Sequence, residues 1–135
     1  MASRVTYSGC MNTAHHASTT RLDAIRAGLC IAPDADAALC YLQGRAGYLY
    51  TLEMGAADVA DEATLKAVAR GLGHAADYAF ELADREDVRA ALVDAGWDAV
   101  SYQDVSPDNG REHSTILVLV PGVVTVIEVE SVEAA

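Results

Sequence analysis

The sequence predicts an α+β domain, with strands toward both ends of the chain and helices between them. Three features carry this expectation. Gly47 to Met54 alternates as a strand does, with Tyr48, Tyr50, Leu52 and Met54 on one side and Leu49, Thr51 and Glu53 on the other. Apolar residues then recur at helical spacing in three stripes: Leu65, Val68, Ala69, Leu72; Ala75, Tyr78, Ala79, Leu82; and Val88, Ala91, Leu92, Ala95. The end of the chain is rich in β-branched residues. A length of 135 residues suits one core and is too short for two, so residues 1–135 are expected to form a single domain.

Arg4 to Ser8 alternates enough for a first strand, which Gly9 ends. The polar stretch Asn12 to Thr19 reads as a loop. Leu22, Ile25 and Leu29 then predict a short helix, with Thr19 or Thr20 as its cap and Gly28 near its stop. A brief extended segment, Leu29 to Ala32, precedes Pro33 and Asp34, which open a second helix whose Ala38, Tyr41 and Leu42 share a face and which Gly44 ends. Asp84 is the expected cap of the third helical stripe and Gly96 its stop. Ala99 to Gln103, Ser114 to Val120 and Val123 to Val129 complete the strands, with Pro121 and Gly122 turning the chain between the last two.

Charge narrows the function classes. Nine Lys and Arg against 20 Asp and Glu give a net charge of -11, which repels phosphate backbones and disfavours direct nucleic-acid binding. Residues 1–50 carry four arginines and three aspartates, whereas residues 51–135 carry 17 acids and five bases, so an anionic small ligand is expected on the first half. No apolar run approaches the ~18 residues of a membrane span, and no basic segment leads into an apolar one at the N-terminus, so a cytoplasmic protein is expected. Cys10, Cys30 and Cys40 form no close CxxC pair and predict reduced thiols.

The common chemical motifs are absent: no phosphate loop, no GxGxxG after a strand, no HExxH, no GxSxG elbow. Cys10, His15, His16, Cys30 and Cys40 lack the spacings of a zinc site, so no metal is expected. A Cys nucleophile paired with His74 or His113 is disfavoured because Cys30 and Cys40 occupy apolar positions, where thiols are inert.

What stands out is a set of separated patches: Tyr7-Ser8-Gly9, then Gly28 to Tyr41, then Gly96 to Gly110, then Arg111-Glu112-His113 ahead of an apolar strand. In that order they resemble the ADP-ribosyltransferases. GLCIAPDADAALCY, Gly28 to Tyr41, resembles the family's segment leading to a tyrosine that stacks on nicotinamide, and Tyr41 takes that place. Glu112 followed by STILVLV resembles the family's glutamate at the start of a strand. Tyr7, Ser8 and Gly9 approximate its first-strand motif, with Ser8 where better-known subfamilies carry His or Arg. GWDAVSYQDVSPDNG, Gly96 to Gly110, is similar to compact phage anti-CRISPR ADP-ribosyltransferases, in which a Gln-Asp pair like Gln103-Asp104 supplies the catalytic aspartate.

The resemblance implies a fold of split antiparallel sheets with helices between and flanking them. It further implies NAD as substrate, Tyr7, Ser8, Gly9 and Tyr41 as its binding residues, and Glu112 or Asp104 as the catalytic carboxylate. Cleaving the bond between nicotinamide and ribose passes through a cationic state, for which one carboxylate beside the ribose is the main electrostatic requirement. The expected activity is transfer of ADP-ribose to a macromolecular, most simply a protein, target by a phage-type inhibitor of a defence complex or a toxin-like effector. A different class also fits the charge: a non-catalytic acidic protein that blocks a basic nucleic-acid-binding surface. A third expectation is a dimeric module paired through Val123 to Val129.

Overall fold

Among the described residues eight strands divide between two sheets, and the division creates the region of interest. The computed structural model describes residues 4–7, 12–75, 78–105 and 110–135. In chain order the elements are β1 (Arg4–Tyr7), β2 (Asn12–Ser18), β3 (Cys30–Ile31), α1 (Ala35–Leu39), β4 (Gly47–Met54), β5 (Ala57–Ala60), α2 (Glu62–Gly71), α3 (Ala79–Ala83), α4 (Glu86–Asp94), β6 (Ala99–Val105), β7 (Glu112–Val118) and β8 (Val124–Val132). One sheet runs β1-β5-β6-β7-β3 and the other β2-β4-β8. The class is α+β, as expected.

Pairing is antiparallel throughout except between β5 and β6, which run parallel. The connection between those two strands holds α2, α3 and α4, long enough for the crossover that a parallel pair requires. Strand alternation then sorts the core into two layers. Val100, Tyr102, Leu117 and Leu119 face the helices and pack with Leu65, Leu82, Val88 and Leu92. Val59, Ala99, Ile116 and Val118 face the second sheet and pack with Tyr50, Leu52, Met54 and Val124.

Local chemistry sets the helix starts. Asp61 caps α2 by accepting from the Thr64 N–H and hydroxyl, and Asp34 caps α1 by accepting from the Asp36 N–H. Gly96, at φ 92°, ends α4 and lets the Trp97 N–H return to the Leu92 carbonyl. Asp98 then ties the parallel pair: its carboxylate accepts from the Asp58 N–H and its own N–H donates to the Asp58 carbonyl, both at 2.8 Å.

Several elements differ from the sequence reading. Asn12–Ser18 is a strand, because seven consecutive residues pair with β4, from Asn12 opposite Met54 to Ser18 opposite Tyr48; the partner strand supplies what the polar sequence does not advertise. Residues 21–29 form no helix. Leu22, Ile25 and Leu29 pack instead on the core between the sheets, and the backbone is spent elsewhere: Leu22 N–H donates to the Tyr50 hydroxyl, Gly28 N–H to the Val118 carbonyl, and Val118 N–H to the Leu29 carbonyl. α3 begins at Ala79 with Tyr78 at its cap, so the second stripe is helical only in its later half. Arg85, not Asp84, occupies the cap position of α4. Ser114 to Val120 and Val123 to Val129 belong to different sheets, because a 3-10 turn over Pro121–Val123 carries the chain from one to the other.

Candidate functional site

The sheets meet at their edges. β2 borders one and β3 the other, and His15 joins the residue after β3 through a two-bond bridge, His15 N–H to the Ala32 carbonyl at 2.7 Å and Ala32 N–H to the His15 carbonyl at 2.8 Å. A cleft opens beside this seam, lined by His15, His16, Cys30, Tyr41, His113 and Thr115 together with apolar Ala17, Ile31, Ala32 and Ala38.

Tyr41 reaches the cleft from a 3-10 turn, Cys40–Leu42, that extends α1. Gln43 in the left-handed region and Gly44 at φ 78° end the turn, and Arg45 Nε clasps it by donating to the Leu42 carbonyl at 2.8 Å. The ring is therefore fixed from behind while 38% of the residue stays exposed. Its hydroxyl donates to Asp104 Oδ2 at 3.3 Å and lies 3.0 Å from His113 Nε2. The imidazole meets the tyrosine ring edge-on, with centroids 5.7 Å apart.

Tyr41 has one proton, which Asp104 can only accept, whereas the roles of the His113 nitrogens follow its tautomer. His113 Nδ1 lies 3.2 Å from both the Thr115 hydroxyl and the Ser114 carbonyl. Thr115, His113 and Tyr41 thus form one contact chain that ends at Asp104. Burial and the Asp104 carboxylate both hold the Tyr41 hydroxyl above the ordinary phenol range, so it stays protonated.

Asp104 borders an adjoining hollow with Cys30, Phe80, Arg89 and Tyr102, and Cys30 is common to both spaces. Cys30 is surface-exposed at β3, yet desolvation of its sulfur, and secondarily the Asp104 charge, raise the thiol's pKa; the Tyr102 hydroxyl 3.8 Å away only partly offsets this. A raised pKa keeps sulfur as the unreactive thiol. Tyr102 is likewise raised, by burial first and by Cys30 second. Arg89 donates through Nε to the Ala83 carbonyl and packs a guanidinium nitrogen where a Gly28 side chain would be.

The structure brings Tyr41 and Asp104 together and sets Glu112 apart. Asp104 pairs with His113 and Glu112 with Val105, so alternation puts Glu112 on the opposite face of the β6–β7 ladder, exposed. That face carries Gln103, which donates to Ser114 Oγ at 3.0 Å and whose N–H donates to Glu62 Oε1. This bond, chiefly, lowers the Glu62 pKa. Tyr7 ends β1 opposite Ala57, while Ser8, Gly9 and Cys10 lie outside the described residues. No group of three metal-ligating side chains forms among the described residues.

Sequence reasoning missed the parts played here by His113, Thr115 and Arg89. His113 sat in plain view beside Glu112. Only the register, which puts it opposite Asp104, distinguishes it.

No family model and no curated protein matches the sequence. Among solved structures, a chain of the M. tuberculosis MbcT-MbcA toxin-antitoxin complex is similar at a TM-score of 0.53 and 12% identity, over 95% of this chain and 87% of that one. No helix among the described residues is long and apolar enough to cross a membrane. At so low an identity the likeness is one of fold, and the α+β architecture described above is shared with a component of a toxin-antitoxin complex.

Proposed function

We propose that this protein is a toxin-like effector that cleaves the glycosidic bond of NAD and transfers ADP-ribose to a protein target. One observation carries the reading: the Tyr41 ring, positioned at an apolar cleft, is hydrogen-bonded to a carboxylate, Asp104. The fold similarity to a component of a toxin-antitoxin complex supports it.

In this reading nicotinamide lies against Tyr41 and Asp104 stands beside the ribose. The C1′–N bond breaks with its electron pair on the departing nicotinamide, the acceptor's nucleophile bonds to C1′, and the nucleophile's proton passes to solvent. Asp104 lowers the barrier by facing the positive charge that develops on the ribose. The Tyr41 hydroxyl, donating to that carboxylate, helps hold it in place. Tyr7 closes β1 at the edge of the larger sheet away from the cleft, so the remainder of the dinucleotide is not assigned to it, and Asp104 takes the carboxylate role in preference to Glu112, which faces away. A protein target and an antitoxin-like regulator are the partners this reading implies.

Calorimetric titration with NAD, followed by assay of released nicotinamide in the presence of cell lysate, tests the proposal. The expected result is binding, with release reduced by about a hundredfold or more in Asp104→Ala and little changed in Glu112→Ala. Absence of binding at millimolar NAD overturns it, and favours the acidic, non-catalytic blocking protein.

A further inference from the structure

We infer that His16 reads the carboxamide of the nicotinamide ring, its Nε2 accepting a hydrogen bond from the amide N–H of a ring that lies against Tyr41. The inference rests on the NAD reading above and adds to it a specificity determinant: the site takes a pyridine bearing an uncharged donor and rejects the corresponding carboxylate.

The other ring nitrogen fixes the tautomer. His16 Nδ1 lies 2.7 Å from the Cys30 carbonyl oxygen. A carbonyl only accepts, so Nδ1 carries the hydrogen and the neutral ring presents Nε2 as a lone pair. Burial holds the imidazole below its ordinary pKa, outweighing the opposing effect of the carbonyl bond, and so preserves that tautomer. Among the described residues no side chain or backbone group bonds to Nε2.

The surroundings say what would. The cleft that His16 lines is apolar at Ala17, Ile31 and Ala38 and also carries the Tyr41 ring, which suits a flat heteroaromatic ring. The other histidines of the cleft are engaged, His113 at both nitrogens and His15 through Nδ1 to Thr51 Oγ1. An acceptor fixed in an apolar wall selects a ligand donor. The carboxamide supplies one. The carboxylate of nicotinic acid supplies only lone pairs and a charge, leaving two acceptors opposed without water.

Titrating the full chain with nicotinamide and separately with nicotinic acid, while following histidine side-chain NMR signals, tests this. Nicotinamide is expected to shift the His16 signals and to bind at least about tenfold more tightly than nicotinic acid. In His16→Gln, whose amide can turn either donor or acceptor toward the ligand, the preference is expected to fall below about threefold. Equal binding of the two ligands, binding of neither, or a preference that survives in the variant overturns the assignment. Should the variant fail to fold, the wild-type spectra decide alone: perturbation of other histidines without His16 overturns it. NAD cleavage assayed on the same samples separates the two proposals. Cleavage with no amide preference removes the role of His16 and leaves the enzyme, whereas amide preference without cleavage removes the enzyme and leaves the recognition.

Discussion

The Tyr41 hydroxyl donates to Asp104 Oδ2 across 3.3 Å, joining residues 63 positions apart in the chain. An aromatic ring and a carboxylate are thereby locked to one another, the ring by its turn and the carboxylate by β6. The second Asp104 oxygen is also occupied, accepting from the Val105 N–H at 2.8 Å. Both ends of the carboxylate are held, which is the preorganisation that electrostatic stabilisation of a developing charge requires.

Tyr41→Phe and Tyr41→Ala should therefore fail differently. The phenylalanine keeps the stacking surface and loses the bond to Asp104, so kcat for NAD cleavage is expected to fall by about three- to tenfold with KM nearly unchanged. The alanine loses the surface as well, and KM should rise. Steady-state kinetics on both variants distinguishes the two, and identical behaviour would contradict separate roles for ring and hydroxyl.

His16 should make stability depend on pH. Its pKa is lowered in the fold from the ordinary 6.5, with burial the dominant cause. The unfolded chain thus binds a proton that the folded chain resists, so stability rises with pH through the window below 6.5 and is lost as pH falls through it. Tyr50 from β4 and the Cys30 carbonyl from β3 lie against the ring, and Tyr41, His15 and His113 line the same cleft. Urea midpoints measured on either side of that window should drop toward acid in the wild type and drop less in His16→Gln. Parallel curves would contradict the assignment.

Gly28→Ala should be costly chiefly through its backbone conformation, since the Arg89 group that it would meet is the movable end of a side chain. Gly28 adopts φ +94°, and an added Cβ would sit 2.8 Å from Arg89 Nη1. The expected loss is about 1 to 3 kcal/mol in chemical denaturation. Truncating Arg89 relieves only the contact, so Gly28→Ala/Arg89→Ala should recover part of the loss that Gly28→Ala adds and not the whole.

Leu92→Ala removes a fully buried side chain from the layer between the helices and the larger sheet. A loss of about 2 to 5 kcal/mol is expected. Val93→Ala, one residue along on the exposed side of the same helix, should cost less than about 0.5 kcal/mol, and denaturation of the pair reads the orientation of α4 directly.

How much of this could be read from the chain follows from where information is local. β4, α2 and α4 were legible because each buries one face along its own length, so the apolar period appears in consecutive residues. Asn12 to Ser18 was not, since its strand character comes from pairing with β4. Leu22, Ile25 and Leu29 misled for the converse reason: a chain that winds over a core returns apolar residues at intervals a helix also produces. Tyr41 and Asp104 were legible as separate candidates through resemblance. Choosing between Asp104 and Glu112 requires the β6–β7 register, because neighbouring positions differ only by which face they present. His113 and His16 gain their parts from contacts across the sheets, which no window of sequence contains.

The seam between His15 and Ala32 has a mechanical consequence. The two walls of the cleft belong to different sheets, stitched at this edge, among the described residues, by the two His15–Ala32 backbone hydrogen bonds and the His16 Nδ1 bond to the Cys30 carbonyl, while the sheets' separation elsewhere is set by Leu52, Met54, Val59 and Ile116 between them. The aperture is thus calibrated from within. A change of volume at Leu52 alters the angle between the sheets, and ligand affinity should track the filling of a core that the ligand never touches.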